Sequence, residues 1–221
     1  MKRIIVDGSI LDVCPVFKGA AVYAEFVNTP YCAELWKEIE LSISQCCERY
    51  TTESVKHIPS IEATRRVYRK LGKDPSRYRP SGEALIRRVL QGKDLYQINT
   101  AVDLINLASI EYGYSIGGFD YSKIEGDTLR LGVGQKDEPY EGIGRGLLNI
   151  EGLPVYRDKI GGIGTPTSDH ERTSLSLDTT HLLAIVNGYD GNALGVVACA
   201  QRIAELIGKY TVCKSCNIAS F

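Results

Sequence analysis

Residues 77–120 read RYRPSGEALIRRVLQGKDLYQINTAVDLINLASIEYGYSIGGFD. Two helices are predicted within this stretch. Ser81 to Gln91 carries helical apolar spacing stopped by Gly92, and Thr100 to Tyr112 follows Asn99, placed to cap it, and precedes Gly113, placed to end it. The second helix carries polar residues in an apolar setting. Asn99, Asp103 and Asn106 are spaced by four and three and share one face, while Val102, Ile105 and Ser109 form the neighbouring strip. SIGGFD then reads as a turn in which Gly117 and Gly118 permit close backbone approach before Phe119 and Asp120. A helix face and a turn of this kind form one wall of a pocket for a small polar ligand. The competing reading is that the polar residues cap the helix and tie the following loop to it, the usual work of buried polar groups.

Outward from this stretch, Arg3 to Gly8 and Val16 to Asn28 read as strands, and Thr29-Pro30 as the start of a helix running to about Tyr50. Ser60 to Leu71 reads as a helix stopped by Gly72. Beyond it the texture changes: 15 of the 22 glycines fall between Gly117 and Gly195, among short apolar runs that suggest strands and loops. His181 to Asn187 is the clearest strand, Asn192 to Lys209 returns to helical spacing, and Thr211 to Ile218 suits a final strand. The fold class expected is α+β, a helical basic first half packed with a β-rich, glycine-rich second half, in one domain over residues 1–221.

The 221 residues are 43% hydrophobic and 24% charged, a composition that excludes a disordered chain. No apolar run approaches the roughly 20 residues of a membrane span, and Asp7 and Asp12 interrupt the place where a signal peptide is apolar. Seven scattered cysteines do not form a disulfide framework, so a reducing cytoplasm is expected. The net charge of −1 hides a segregation, because residues 65–93 carry +8 and the remainder −9. Arg65, Arg66, Arg69, Arg77, Arg79, Arg87 and Arg88 are therefore the candidate RNA-binding residues, against the alternative of a solvated helical face.

A second candidate wall is GGIGTPTSDHER, residues 161–172, in which glycine amides with Thr165, Thr167 and Ser168 suit an anion nest and Asp169-His170-Glu171 adds titratable groups. A plain surface loop is the alternative, and no nucleotide-binding glycine pattern is present. Cys213-x-x-Cys216 has no matching second half and the three histidines are scattered, so no metal and no cofactor is expected. The protease motifs GxSxG and HExxH are absent.

Taken together, Arg77, Arg79, Pro80, Asn99, Val102-Asp103, Asn106, Gly113, Phe119-Asp120, residues 123–127 and Gly161-Gly162 resemble the editing module formed by domains three and four of the phenylalanyl-tRNA synthetase beta subunit. The likeness runs from about Ser60 to Asn187, and is nearer to freestanding proteins consisting of little else. It implies an α+β module that hydrolyses tyrosine wrongly attached to the phenylalanine tRNA. Two positions depart from it: Gly117 stands where the family has histidine, and the family's pocket glutamate, downstream of a threonine resembling Thr179, falls near Ile185. A cavity made roomier at Gly117, with little discrimination for a tyrosyl hydroxyl, is the consequence expected.

The resemblance supports two readings. In the first, the chain is an aminoacyl-tRNA deacylase, not a complete synthetase. Asn99, Asp103 and Asn106 then orient the substrate, Gly117, Gly118 and Phe119 line the backbone wall, and Gly161, Gly162, Gly164, Thr165 and Ser168 close the site, with His170 as acid/base. In the second, it binds RNA or a small ligand without chemistry. The partner expected is tRNA or aminoacyl-tRNA, with neither DNA nor a membrane.

Overall fold

A computed structural model describes all 221 residues. In chain order the strands are β1 (Arg3–Val6), β2 (Lys18–Val27), β3 (Ser115–Asp120), β4 (Thr128–Val133), β5 (Glu141–Gly142), β6 (Gly146–Leu147), β7 (Pro154–Arg157), β8 (Gly162–Gly164), β9 (His181–Gly188) and β10 (Val212–Ser220). The helices are α1 (Gly8–Leu11), α2 (Ala33–Arg49), α3 (Pro59–Lys70), α4 (Ser81–Leu90), α5 (Thr100–Tyr112) and α6 (Ala193–Tyr210). The fold is α+β.

A central antiparallel sheet in the order β10-β2-β9-β3 is covered on its two faces by different layers. Period-two alternation along the strands decides which side chain goes where. Leu182, Ala184 and Val186 of β9 join Ala20, Val22 and Phe26 of β2 in a core shared with α2, α4, α5 and α6. Leu183 and Ile185 face the other way, onto Leu129, Leu131, Tyr156 and Ile163 of the outer sheet, whose order is β1-β4-β7-β8. Burying each such side chain stabilises the fold by about 1.5–3 kcal/mol, so β9, buried on both faces, is the axis of the molecule. No helix is long and apolar enough to cross a membrane.

Three sequence expectations are corrected. SIGGFD is not a turn but strand β3, in register with β9 from Ser115↔Asn187 to Asp120↔Leu182. Residues 162–164, read within a nest or loop, form β8 against β7, with Gly162 and Gly164 leaving room for the Tyr140 and Phe119 rings. Thr29 does not begin a helix; α2 starts after Cys32, and Thr29 Oγ1 instead lies 2.6 Å from Thr100 Oγ1 at the start of α5. The helical and β-rich halves are also interleaved, since β2 sits between β9 and β10 and β1 runs parallel beside β4.

Candidate functional site

A cavity of about 350 Å³ opens where α5 and α4 meet the free edge of the central sheet. From α5 it receives Val102, Ile105, Asn106 and Ser109, and from α4 Ser81 and Leu85. Gly118 of β3 supplies a floor: a Cβ there would lie 2.8 Å from Ile105 Cδ1 and 3.2 Å from Leu175 Cδ1, both lining residues, so the space exists because the position is glycine. The far wall is Thr165, Ser168 and Asp169, with Ser174 and Leu175 following. At this size it stands at the small end of ligand pockets, which run from about 300 to 1,000 Å³.

The helix face expected to look into the pocket is divided. Asn106 lines the cavity and its side-chain amide makes no hydrogen bond within the chain. Asn99 instead caps α5, its Oδ1 accepting from Val102 N–H at 3.1 Å. Asp103 is buried beside α2, where it accepts from Trp36 Nε1–H at 2.9 Å and from Ile98 N–H at 3.2 Å. Burial raises its carboxyl above the ordinary aspartate range, against those two bonds. The substrate-orienting role expected of Asn99 and Asp103 is therefore corrected to a structural one, set by a tryptophan 67 residues away.

Alternation divides β3 in the same way. Gly118 faces the cavity, whereas Gly117 and Phe119 face the outer sheet. The Phe119 ring fills the space that Gly117 leaves, since a Cβ on Gly117 would stand 2.6 Å from its Cζ, and one on Gly164 2.5 Å. Gly117 and Ile185, the two departures from the editing pattern, are register partners across β3 and β9 on that packed face. The expectation of a cavity widened by Gly117 is thus corrected: the residue does not line it.

Among the closing residues, Thr165 and Ser168 line the cavity but Gly161, Gly162 and Gly164 do not. The nest is corrected too. Thr165 Oγ1 accepts from Thr167 N–H at 3.2 Å and Ser168 N–H at 3.0 Å, and Gly161 N–H donates to Asp158, so these amides have internal partners. His170 also stands outside the lining. Its ring packs edge-on against Tyr140, its Nδ1 accepts from Arg172 N–H at 3.0 Å, and burial followed by the Arg172 charge holds its pKa below the ordinary histidine value.

The ionisable group that does reach the cavity is Asp169, for which the sequence offered only its place in the Asp-His-Glu run. An isolated bridge between Gly164 and Asp169 folds the segment back on itself and carries this side chain to the free edge of β3. There Oδ2 accepts from Gly118 N–H at 2.9 Å. Burial pushes its carboxyl up to about 7, the Gly118 bond opposing.

The basic segment sorts into two kinds of arginine. Arg65 and Arg87 turn inward onto Glu83, which is fully buried, each at 2.8 Å; the Arg65 pair ties α3 to α4 and the Arg87 pair lies within α4. Arg87 also donates to Thr52 O at 2.6 Å. These two are corrected from RNA-binding to structural residues. Arg66, Arg69, Arg77 and Arg79 are exposed, while half-buried Arg88 packs 3.9 Å above the Tyr96 ring. Arg77 and Arg79 bracket Tyr78, whose carbonyl accepts from Thr167 Oγ1 at 2.9 Å, and Ser81 N–H donates to Pro166 O at 2.7 Å. The exposed pair therefore flanks the segment bonded to the cavity wall. No group of three or more His, Cys, Asp or Glu side chains is placed to hold a metal ion.

Residues 63–206, well over half of the chain and all of the cavity's lining segments, match the family described as the B3/4 domain. The chain belongs to the B3/4 domain family. It is similar to the phenylalanine–tRNA ligase beta subunit of Desulfotalea psychrophila, 25% identical over 100 residues that make up 45% of this chain and 10% of that protein. The B3/4 chain thus matches about a tenth of that relative's length. It is also similar to an N-terminal fragment of the phenylalanyl-tRNA synthetase beta subunit from Pyrococcus horikoshii, with a TM-score of 0.49 and 14% identity over 98% of this chain and 50% of that one.

Proposed function

We propose that this B3/4 domain chain is an aminoacyl-tRNA deacylase, hydrolysing the ester between a misattached amino acid and the end of a tRNA. The observation that carries the reading is the cavity itself: apolar walls from α4 and α5, a few convergent polar groups, and exposed Arg77 and Arg79 beside its wall. The apolar lining takes the amino-acid side chain, and the arginines meet the phosphates of the RNA.

An aminoacyl ester is activated, so a held substrate, a positioned water and the neighbouring ribose hydroxyl supply the chemistry without a protein nucleophile. The Asn106 amide and the Ser81 and Ser174 hydroxyls, which line the cavity and make no hydrogen bond within the chain, are the groups that meet the ester and the water. His170 is given no part.

The test is turnover of a panel of mischarged tRNAs by the chain and by Gly118→Val, whose added methyls enter the space between Ile105 and Leu175. Steady hydrolysis of at least one ester, reduced about 10²-fold in a variant that still melts cooperatively, is the expected result. Glutamates at Arg77 and Arg79 should raise KM and flatten the salt dependence, which follows a slope of about −0.7 per phosphate neutralised. Binding of tRNA without turnover of any ester would replace the deacylase reading with that of a binding module.

A further inference from the structure

The cavity holds one ionisable side chain, Asp169, and neither lysine, arginine nor histidine. The rest of its lining is neutral, made of aliphatic side chains such as Leu85, Ile98, Val102, Ile105 and Leu175 together with hydroxyls and the Asn106 amide. Asp169 reaches this lining from the edge of β3: Oδ2 accepts from Gly118 N–H at 2.9 Å, Oδ1 lies toward Gly164 and Gly117 and accepts no hydrogen bond, and the carboxylate has no ion-pair partner. Asp169 is half-buried, and a carboxylate held so with no partner cation gives up part of its hydration without replacing it.

We propose that Asp169 is the receptor for the α-ammonium group of the ligand, and that the site accepts α-amino acids whose carboxyl is esterified or amidated while rejecting free amino acids and N-blocked esters. The proposal rests on the deacylase reading for the kind of molecule that enters, and deepens it by naming what is recognised.

Charge complementarity supplies the selectivity. The ammonium of an aminoacyl ester completes a pair with Asp169, and its uncharged carboxyl and side chain meet only neutral lining. A free amino acid brings a carboxylate into the same space, where it meets the Asp169 charge and no cation. An N-acylated ester fits the apolar walls but leaves Asp169 without its partner. Hydrolysis by water converts the neutral ester into a carboxylate, a proton and the ribose hydroxyl, so the product becomes the species that the cavity repels. Product release is therefore driven by the same side chain that admits the substrate.

Calorimetric titration of the full chain with leucinamide, N-acetylleucinamide and leucine separates these terms, since none of the three is an ester. Leucinamide should bind about tenfold or more tightly than either of the others, a difference near 1.4 kcal/mol or above. Asp169→Asn, which keeps an acceptor for Gly118 N–H, should reduce leucinamide to the affinity of N-acetylleucinamide. If that variant does not fold, the ligand series on the unaltered chain decides alone. Equal affinity for leucinamide and its N-acetyl form, tighter binding of leucine, or no leucinamide binding at millimolar concentration would each overturn the proposal. Leucinamide selectivity without tRNA hydrolysis would leave the ammonium receptor standing and remove the deacylase. Equal turnover of aminoacyl-tRNA and N-acetylaminoacyl-tRNA would do the reverse.

Discussion

At the scale of single residues, Asp169 is held in a setting that disfavours its charge. Around its carboxyl lie the Gly118 N–H, the Phe119 ring, the Tyr140 phenol and aliphatic lining, with no cation in the cavity to compensate. Its pKa is about 7 in the fold against 3.8 ordinarily. Between those pH values the folded chain retains a proton that the unfolded chain has released. The Asp169 contribution to stability is therefore full below about pH 4, falls as pH rises to about 7, and is lost above it. Asp169→Asn should accordingly raise the melting temperature at pH 8 more than at pH 5, read from thermal melts across that range. A variant less stable than the parent at pH 8 would show that the carboxylate is internally satisfied. In the proposed role, Asp169 trades stability for recognition.

At the scale of elements, α4 owes its place to a buried carboxylate. Glu83 is fully buried and accepts from Arg65 on α3 and from Arg87 one turn along α4, with Arg79 at 3.8 Å. This pairing fixes the helix that brings Ser81 and Leu85 to the cavity. Glu83→Gln should destabilise the chain by roughly 3–5 kcal/mol, because it leaves buried Arg65 without a counter-charge. Urea unfolding measures this, and a change under about 1 kcal/mol would mean the arginines find other partners.

How far these elements were legible depends on whether their signals are local. The bounds of α5 were readable because Asn99 and Gly113, the latter at φ +72°, carry the cap and the stop within the helix's own sequence. The site was less so. Asp103 shares a face with Asn106 by spacing, and only the arrival of Trp36 from α2 takes it out of the cavity lining. β3 read as a turn because paired glycines usually mark one, whereas here Gly117 makes room for Phe119 and Gly118 for the cavity. Asp169 was present in the sequence as one of three adjacent titratable residues, and only the fold-back against Gly164 singles it out.

At the scale of the molecule, the helix layer, the central sheet and the outer sheet converge on one edge. β3 is the last strand of the central sheet, so its outward N–H groups are free of strand partners, and Asp169 and the cavity occupy that border. Exposed Arg77 and Arg79 lead into α4 and flank the segment bonded to the cavity wall through Tyr78 and Ser81. On the proposed reading, this cavity holds the aminoacyl end of an RNA. This is tested most directly by isoleucine methyl NMR of the full chain titrated with 3′-leucylamido-adenosine, in which an amide replaces the labile ester. The expected result is saturable shifts at Ile98, Ile105, Ile116 and Ile143, the isoleucines that line the cavity, with Ile4 and Ile218 unmoved. Shifts confined to other isoleucines, or none at saturating ligand, would contradict it.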